Sequence, residues 1–366
     1  MPFSATVNFS AHFFATRPRP RQPLHVALSA LWLLSLTVSA PAARLAPGPG
    51  GPGPDFVYLS PSRATAGQLQ TNGTIHLQPL PQGATAAVAW RGQVLVFCGR
   101  RVYAMALPGA WRETARFEEE VREAVAVGDA LVLLVGGARR DGVLRGARVV
   151  LWQGPPTPLI GAPQVNSAWH PFMLRTVSGR SEVLVGMRKS AHFDPVERTR
   201  PFLYRLADGE LHPIWKGTSF SHPFTAATLV GLADDPGVAA CALEDLGGGR
   251  RAVLMYVWTG VAMEAIARSA AGHWGDAVQA TGPAEVGVFE TQGARCRLVI
   301  LRGGNKTNWQ GVTMMQAVAT GPWLGQRPAA WTTVWREGRR WLVYATRNGD
   351  LHAALLRDRT SVLPAG

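Results

Sequence analysis

From Asp55 onward, apolar residues come in short runs of four to eight, separated by Gly, Pro, Asp and Asn, and sustained helical periodicity is nearly absent. Runs of that length bounded by turn residues read as strands. The clearest are 94–97, 131–135, 183–185, 253–257, 298–301 and 341–344. One stretch departs from the pattern: Phe117 to Ala124 reads either as a helical turn or as the exposed start of a strand.

The pattern also repeats. His170-Pro171-Phe172 recurs 52 residues later as His222-Pro223-Phe224, Tyr204 recurs as Tyr256, and the run beginning at Leu131 recurs as the one beginning at Val183. A shared offset across three pairs implies units of four strands each, and such units form the blades of a β-propeller. The expectation is an all-β propeller with units at 84–117, 122–162, 168–217, 222–270, 284–327 and 329–356. That makes six blades, or seven if 56–70 contributes a further one. Residues 74–80 resemble 350–355 and would supply the outer strand that the last unit lacks, closing a single domain over 56–358. Closure matters because it removes exposed strand edges. Residues 359–366 read as a tail.

The N-terminus has a different character. Arg17, Arg19 and Arg21 precede an apolar run from Leu24 to Ala40, the order of a secretory signal, with small residues at Val38-Ser39-Ala40 and Ala40-Pro41-Ala42 for cleavage. The alternative for 1–43 is an uncleaved anchor, since a run of this length is at the lower edge of what spans a bilayer. Residues 44–55, rich in Pro and Gly, read as a linker. Cys98, Cys241 and Cys296 are odd in number, without metal-ligand spacing, and each lies in an apolar run, so they read as buried small hydrophobes.

Composition adds two points. The 13 Trp and 40 Gly suit sheets joined by tight turns. The net charge of +13 invites a polyanion partner, yet only Lys189, Lys216 and Lys306 are lysines among 37 basic residues, and no aromatic-basic motif of the nucleic-acid modules occurs. Nucleic acid is therefore not an expected partner.

The segment from Trp169 to Ile266, with Leu184-Val-Gly-Met-Arg-Lys-Ser-Ala-His-Phe-Asp-Pro at its centre and Leu211-His-Pro-Ile-Trp-Lys-Gly after it, resembles bacterial exported proteins with FG-GAP or VCBS-type propeller repeats. That resemblance implies an extracytoplasmic location and calcium-binding Asp-x-Asp-x-Asp-Gly loops. Here the matching stretches, 174–181 and 231–237, carry too few carboxylates, and the adjacent Asp234 and Asp235 would point apart on an extended segment. No metal ligand or cofactor is assigned.

Three sets of binding candidates remain. Arg188, Lys189, His192, Arg198 and Arg200 gather in one long connection with only Asp194 and Glu197 opposing them, and loops on a rigid scaffold are where binding residues collect. His170 and His222 precede the innermost strands of consecutive units, near the channel. Trp169 and Trp215 belong to a tryptophan set that would either grip a partner or pack between blades. Nucleophile-elbow, zinc-helix and phosphate-loop motifs are absent. Asp194, Asp234, Glu244 and Asp245 are the carboxylates a glycan-cleaving site would draw on, and nothing in the sequence selects among them. The expected function is a non-catalytic binding or scaffold propeller outside the cytoplasm, recognising an envelope polymer or an exported protein. The alternatives are a polysaccharide hydrolase or lyase and a structural envelope or spore-layer protein.

Overall fold

The computed structural model describes residues 44–47, 55–60, 64–106, 110–140, 143–192, 194–217, 220–233, 235–304 and 311–359. Among them the strands form seven sheets that follow one another along the chain, antiparallel except for a short parallel pairing of Thr313–Met314 with the last strand of the fifth, and hydrogen-bonded largely in sequence order. From the second sheet to the last, the first strands of successive sheets pack side by side, as do those of the last sheet and the first, while the first and second sheets meet through Val57, Leu59 and Ala66 against Val94 and Val96. The chain is a seven-bladed β-propeller.

Each blade is buried on both faces, which explains its apolar runs. In the strand Ala130–Arg140, Leu131, Leu133 and Val135 pack with Phe97 and Trp152 on one side, while Val132 and Leu134 pack with Leu174 and Val185 of the following blade on the other. Alternating side chains thus serve two interfaces, and the sequence shows a continuous run instead of an alternation.

Blade 1 holds Arg44–Pro47, Phe56–Leu59, Ala64–Leu69 and Ile75–Pro79. Blade 2 covers 86–116 and blade 3 covers 121–161. Blade 4 covers 171–216, blade 5 covers 224–268, blade 6 starts at Trp274, and blade 7 covers 330–355. The 52-residue offset is a true structural equivalence: Tyr204 and Tyr256 lie on the third strands of blades 4 and 5, and the runs at Leu131 and Val183 lie on the second strands of blades 3 and 4.

The structure settles the blade count and changes several of the expected boundaries. The count is seven, the alternative in which 56–70 contributes a further blade: residues 44–79 build a complete sheet, of which only Phe56–Leu59 is a continuous apolar run. Part of the expected linker is a strand, since Arg44–Pro47 pairs with Phe56–Leu59. Residues 74–80 do not complete the last unit: Ile75–Pro79 pairs with Ala64–Leu69, and blade 7 has three strands among the described residues. The ring closes instead by packing of Phe56, Tyr58 and Leu69 against Val334, Trp341 and Val343. Blade 6 also begins earlier than expected, with Trp274–Gly282, a strand of small and polar residues. The expected signal or anchor, residues 1–43, lies outside the described residues. No helix among those described is long and apolar enough to cross a membrane.

Antiparallel order sorts the connections onto two rims. The loop into each first strand and the turn between second and third strands share one rim, here the upper. The remaining turns lie at the lower rim. Cys241 and Cys296 are buried and Cys98 is half-buried; all three are free thiols, and burial raises the pKa of each, that of Cys98 to about 11.

Candidate functional site

Two hairpins stand on the upper rim. In blade 4, Glu182–Ala191 pairs with Asp194–Ala207, and in blade 3, Ala130–Arg140 pairs with Val143–Trp152. The segment expected to be a basic loop is therefore a β-hairpin. The cause lies in its composition: Val196, Thr199 and the apolar stem from Val183 to Met187 favour extended backbone, and a single turn at His192 suffices to reverse it.

The two hairpins are tied together. Arg145 of blade 3 donates from Nη2 to Glu197 Oε2 at 3.2 Å, and Arg188 Nε lies 3.7 Å from the same oxygen. Arg188 Nε is enclosed and makes no hydrogen bond. Beneath the tip of the blade 3 hairpin, Arg122 donates to the Gly136 and Gly137 carbonyls at 3.2 and 3.0 Å, and Glu119 accepts from Arg148 at 3.0 Å. Gly136 and Gly137 have φ of 68° and 72°, so they bend the strand through a conformation that L side chains rarely adopt.

On the blade 4 hairpin, Lys189 stands directly across from Arg198, and Met187 across from Arg200. Like charges in facing positions oppose folding, so this ladder carries a local cost. Arg200 is 2% exposed and its Nε donates to the Lys189 carbonyl at 3.1 Å. It belongs to the foundation of the hairpin, and this corrects its expected place on a solvent-facing loop. The Lys189 ammonium sits 3.7 Å from the Trp169 ring centroid, and burial, together with Arg200, lowers its pKa. Trp169 packs on Phe202 at 5.3 Å and is presented by a short 3-10 turn, Ser167–Trp169, whose cap Asn166 accepts from the Ala168 N–H at 3.0 Å. His170 follows with φ 50°; its Nδ1 is enclosed without a partner, and its carbonyl accepts from the Arg188 N–H at 3.3 Å. Trp169, His170, Arg188, Lys189, Arg198 and Arg200 thus come together, with exposed His192 at the tip. Arg145 is the member sequence reasoning missed; the turn residues Arg139-Arg140-Asp141-Gly142 signalled its hairpin.

His222 and Trp215 lie elsewhere. Trp215 packs on Phe220 at 5.8 Å, beneath the loop into blade 5. His222 does not join His170: its N–H and Nδ1 each lie 3.1 Å from Glu244 Oε2. Glu244 is fully buried and also accepts from Tyr256 Oη at 2.5 Å, while Tyr256 Oη lies 2.8 Å from Ser221 Oγ. A carboxylate so satisfied pins the loop into blade 5 to its sheet, and burial raises the Tyr256 pKa. Of the other carboxylates, Asp245 and Asp235 accept from the N–H groups of Gly247 and Gly237 two residues on, so both are engaged in their own turns. Asp234 lies outside the described residues. No group of three or more His, Cys, Asp or Glu among those described is placed to hold a metal ion.

No family model and no curated protein matches this chain. Among solved structures it is similar to the WD40 β-propeller domain of Doa1 (8% identity, 87% of this chain and 94% of that one, TM-score 0.47). It is also similar to the β-propeller domain of the trilobed protease from Pyrococcus furiosus (11%, 87% and 96%, TM-score 0.46) and to XC5397, a gluconolactonase from Xanthomonas campestris (13%, 87% and 87%, TM-score 0.41). These likenesses concern the fold alone.

Proposed function

We propose that this protein is an extracytoplasmic, non-catalytic binding propeller, and that it holds an anionic polymer of the cell envelope on the ridge formed by the blade 3 and blade 4 hairpins. The observation that carries this reading is the joined pair of hairpins, locked by Arg145 and Glu197, which keeps Lys189 and Arg198 side by side in spite of their repulsion. A polymer with regularly spaced anions would relieve that repulsion on binding. Trp169 beside Lys189 adds a flat apolar surface of the kind on which sugar rings stack.

The test is retention of the described propeller on immobilised polyanions, a sulfated glycan and a polyphosphate, against neutral dextran, with product analysis of each eluate. Saturable binding that weakens linearly with the logarithm of salt concentration, without cleavage, is the expected result. Lys189→Glu with Arg198→Glu would lower affinity by roughly tenfold or more and flatten the salt slope. Equal retention on dextran, or release of polymer fragments, would overturn the reading, the latter in favour of a polysaccharide-active enzyme. Arg200 is unsuited to this test because it is buried.

A further inference from the structure

Among the described residues blade 7 is one strand short. Its sheet stops at Leu351–Leu355, whereas each of the other six has at least four strands. The ladder between Arg339–Ala345 and Leu351–Leu355 continues at both ends, where the Thr346 N–H donates to the Asp350 carbonyl and the Leu356 N–H to the Arg340 carbonyl, each at 2.9 Å. Every second residue from Asp350 to Leu356 therefore spends its backbone groups on the inner strand. Leu351, Ala353 and Leu355 turn theirs outward, where no described strand meets them.

The outer edges of the other blades are blunted or covered. Those of blades 1, 2 and 4 contain Pro79, Arg112 with Glu113, and Pro213, and that of blade 3 is only Ile160–Gly161. Proline, charge and shortness are the means by which a sheet edge avoids pairing. Blades 5 and 6 have their edges covered by Thr313–Met314 and Arg357–Asp358. Leu351-His-Ala-Ala-Leu355 has neither charge nor proline and no described cover. Between this edge and Ile75–Pro79 of blade 1 lies a cavity of about 400 Å³, lined by Ile75, Leu77, Leu351 and Ala353, with Asp350 as its one carboxylate and no Lys or Arg. Leu77 and Leu355 are 38% and 42% exposed. The flanking sheets of blades 1 and 6 are wider than that of blade 7, so its edge is recessed. The sheet of a second folded copy cannot reach into such a recess, whereas a single extended segment can.

We propose that the outer edge of blade 7 is a docking site for an extended segment of a partner protein, added as a fourth strand antiparallel to Leu351–Leu355. The segment carries apolar side chains at alternate positions, facing Ile75 and Leu77, and a basic residue at its C-terminal end, beside Asp350. Main-chain hydrogen bonds to Leu351, Ala353 and Leu355 supply affinity, and the alternate side chains supply selectivity. The site goes beyond the polymer ridge of blades 3 and 4 and does not depend on it.

The experiment is residue-resolved amide exchange of the full chain, alone and titrated with a synthetic peptide of seven residues: glutamate, then alternating valine and threonine beginning and ending with valine, then lysine. In the free chain the Leu351, Ala353 and Leu355 amides exchange faster than those of His352 and Ala354, and the peptide slows the three saturably. The same peptide N-methylated on its valines has no effect. Ala353→Pro removes one outward N–H without touching the inner ladder and weakens binding roughly tenfold or more. Asp350→Lys, at an exposed position, weakens it several-fold and favours the peptide with its charged ends exchanged. The paired substitution of Lys189 and Arg198 leaves peptide binding intact, which separates this site from the polymer reading. Slow exchange of the three amides in the free chain would show that the chain covers its own edge and would overturn the proposal. So would the absence of saturable binding, equal binding of the N-methylated peptide, or binding untouched by both Ala353→Pro and Asp350→Lys.

Discussion

Glu285 shows how single residues hold this ring together. It is 2% exposed at the start of the second strand of blade 6, accepts from Arg340 Nη2 of blade 7 at 2.7 Å, and accepts from Arg302 Nε at 2.9 Å. Arg340 is itself buried, lies over the Trp335 ring at 4.4 Å, and has no other hydrogen-bond acceptor. Removing one partner of such a pair leaves the other charge uncompensated, a loss of about 3–5 kcal/mol. Glu285→Ala is therefore expected to lower stability by that amount in denaturant unfolding, whereas Glu290→Ala, which breaks a half-exposed pair with Arg297, costs about 1 kcal/mol or less. Equal losses would show that the inter-blade pair carries no special weight. Residues of this kind were illegible in the sequence, because Glu285 and Glu290 look alike until the ladder places one beneath a neighbouring blade. The same applies to Arg200: its spacing matched that of the surface cations, and only its position across from Met187 put it inside.

At the scale of strands and hairpins, the sequence was most readable where a strand is buried on both faces. The six clearest runs lie on the second strands of blades 2, 3, 4 and 7 and on the third strands of blades 5 and 6, and the repeat offset between blades 4 and 5 was recoverable because their loops have similar lengths. The third strand of blade 1 and the first strand of blade 6 were hidden, being built largely from small and polar residues that gain their place by pairing. The basic segment was assigned to the right blade but to a loop, since charged residues conceal a hairpin whose ladder is satisfied by backbone alone. The blade 3 hairpin depends on Gly137, where an added Cβ would meet the Ala147 nitrogen at 2.8 Å and the Arg145 carbonyl at 2.9 Å. Gly137→Ala is expected to cost about 1–3 kcal/mol through backbone strain. It should also weaken polyanion retention by displacing Arg145 from Glu197. Unchanged stability and retention together would show that the kink is dispensable.

At the scale of the whole ring, the two rims differ in charge. Among the described residues, the lower turns carry Arg91 and Arg180 against Asp129, Asp208, Asp235 and Glu337. The upper rim carries the ridge cations together with Arg251, Arg327 and Arg347, and its acids include Glu118, Asp245, Asp276 and Asp350 besides Glu119 and Glu120, which are taken up by Arg148 and Arg122. The ridge cations of blades 3 and 4 therefore favour the approach of a polyanion from the upper side. The most direct measurement is amide hydrogen exchange of the chain with and without a saturating sulfated glycan. Slower exchange across 136–148 and 186–202, with no change at the lower turns 208–210 and 232–237, is the predicted result. Protection confined to the lower turns, or spread evenly over both rims, would contradict the account.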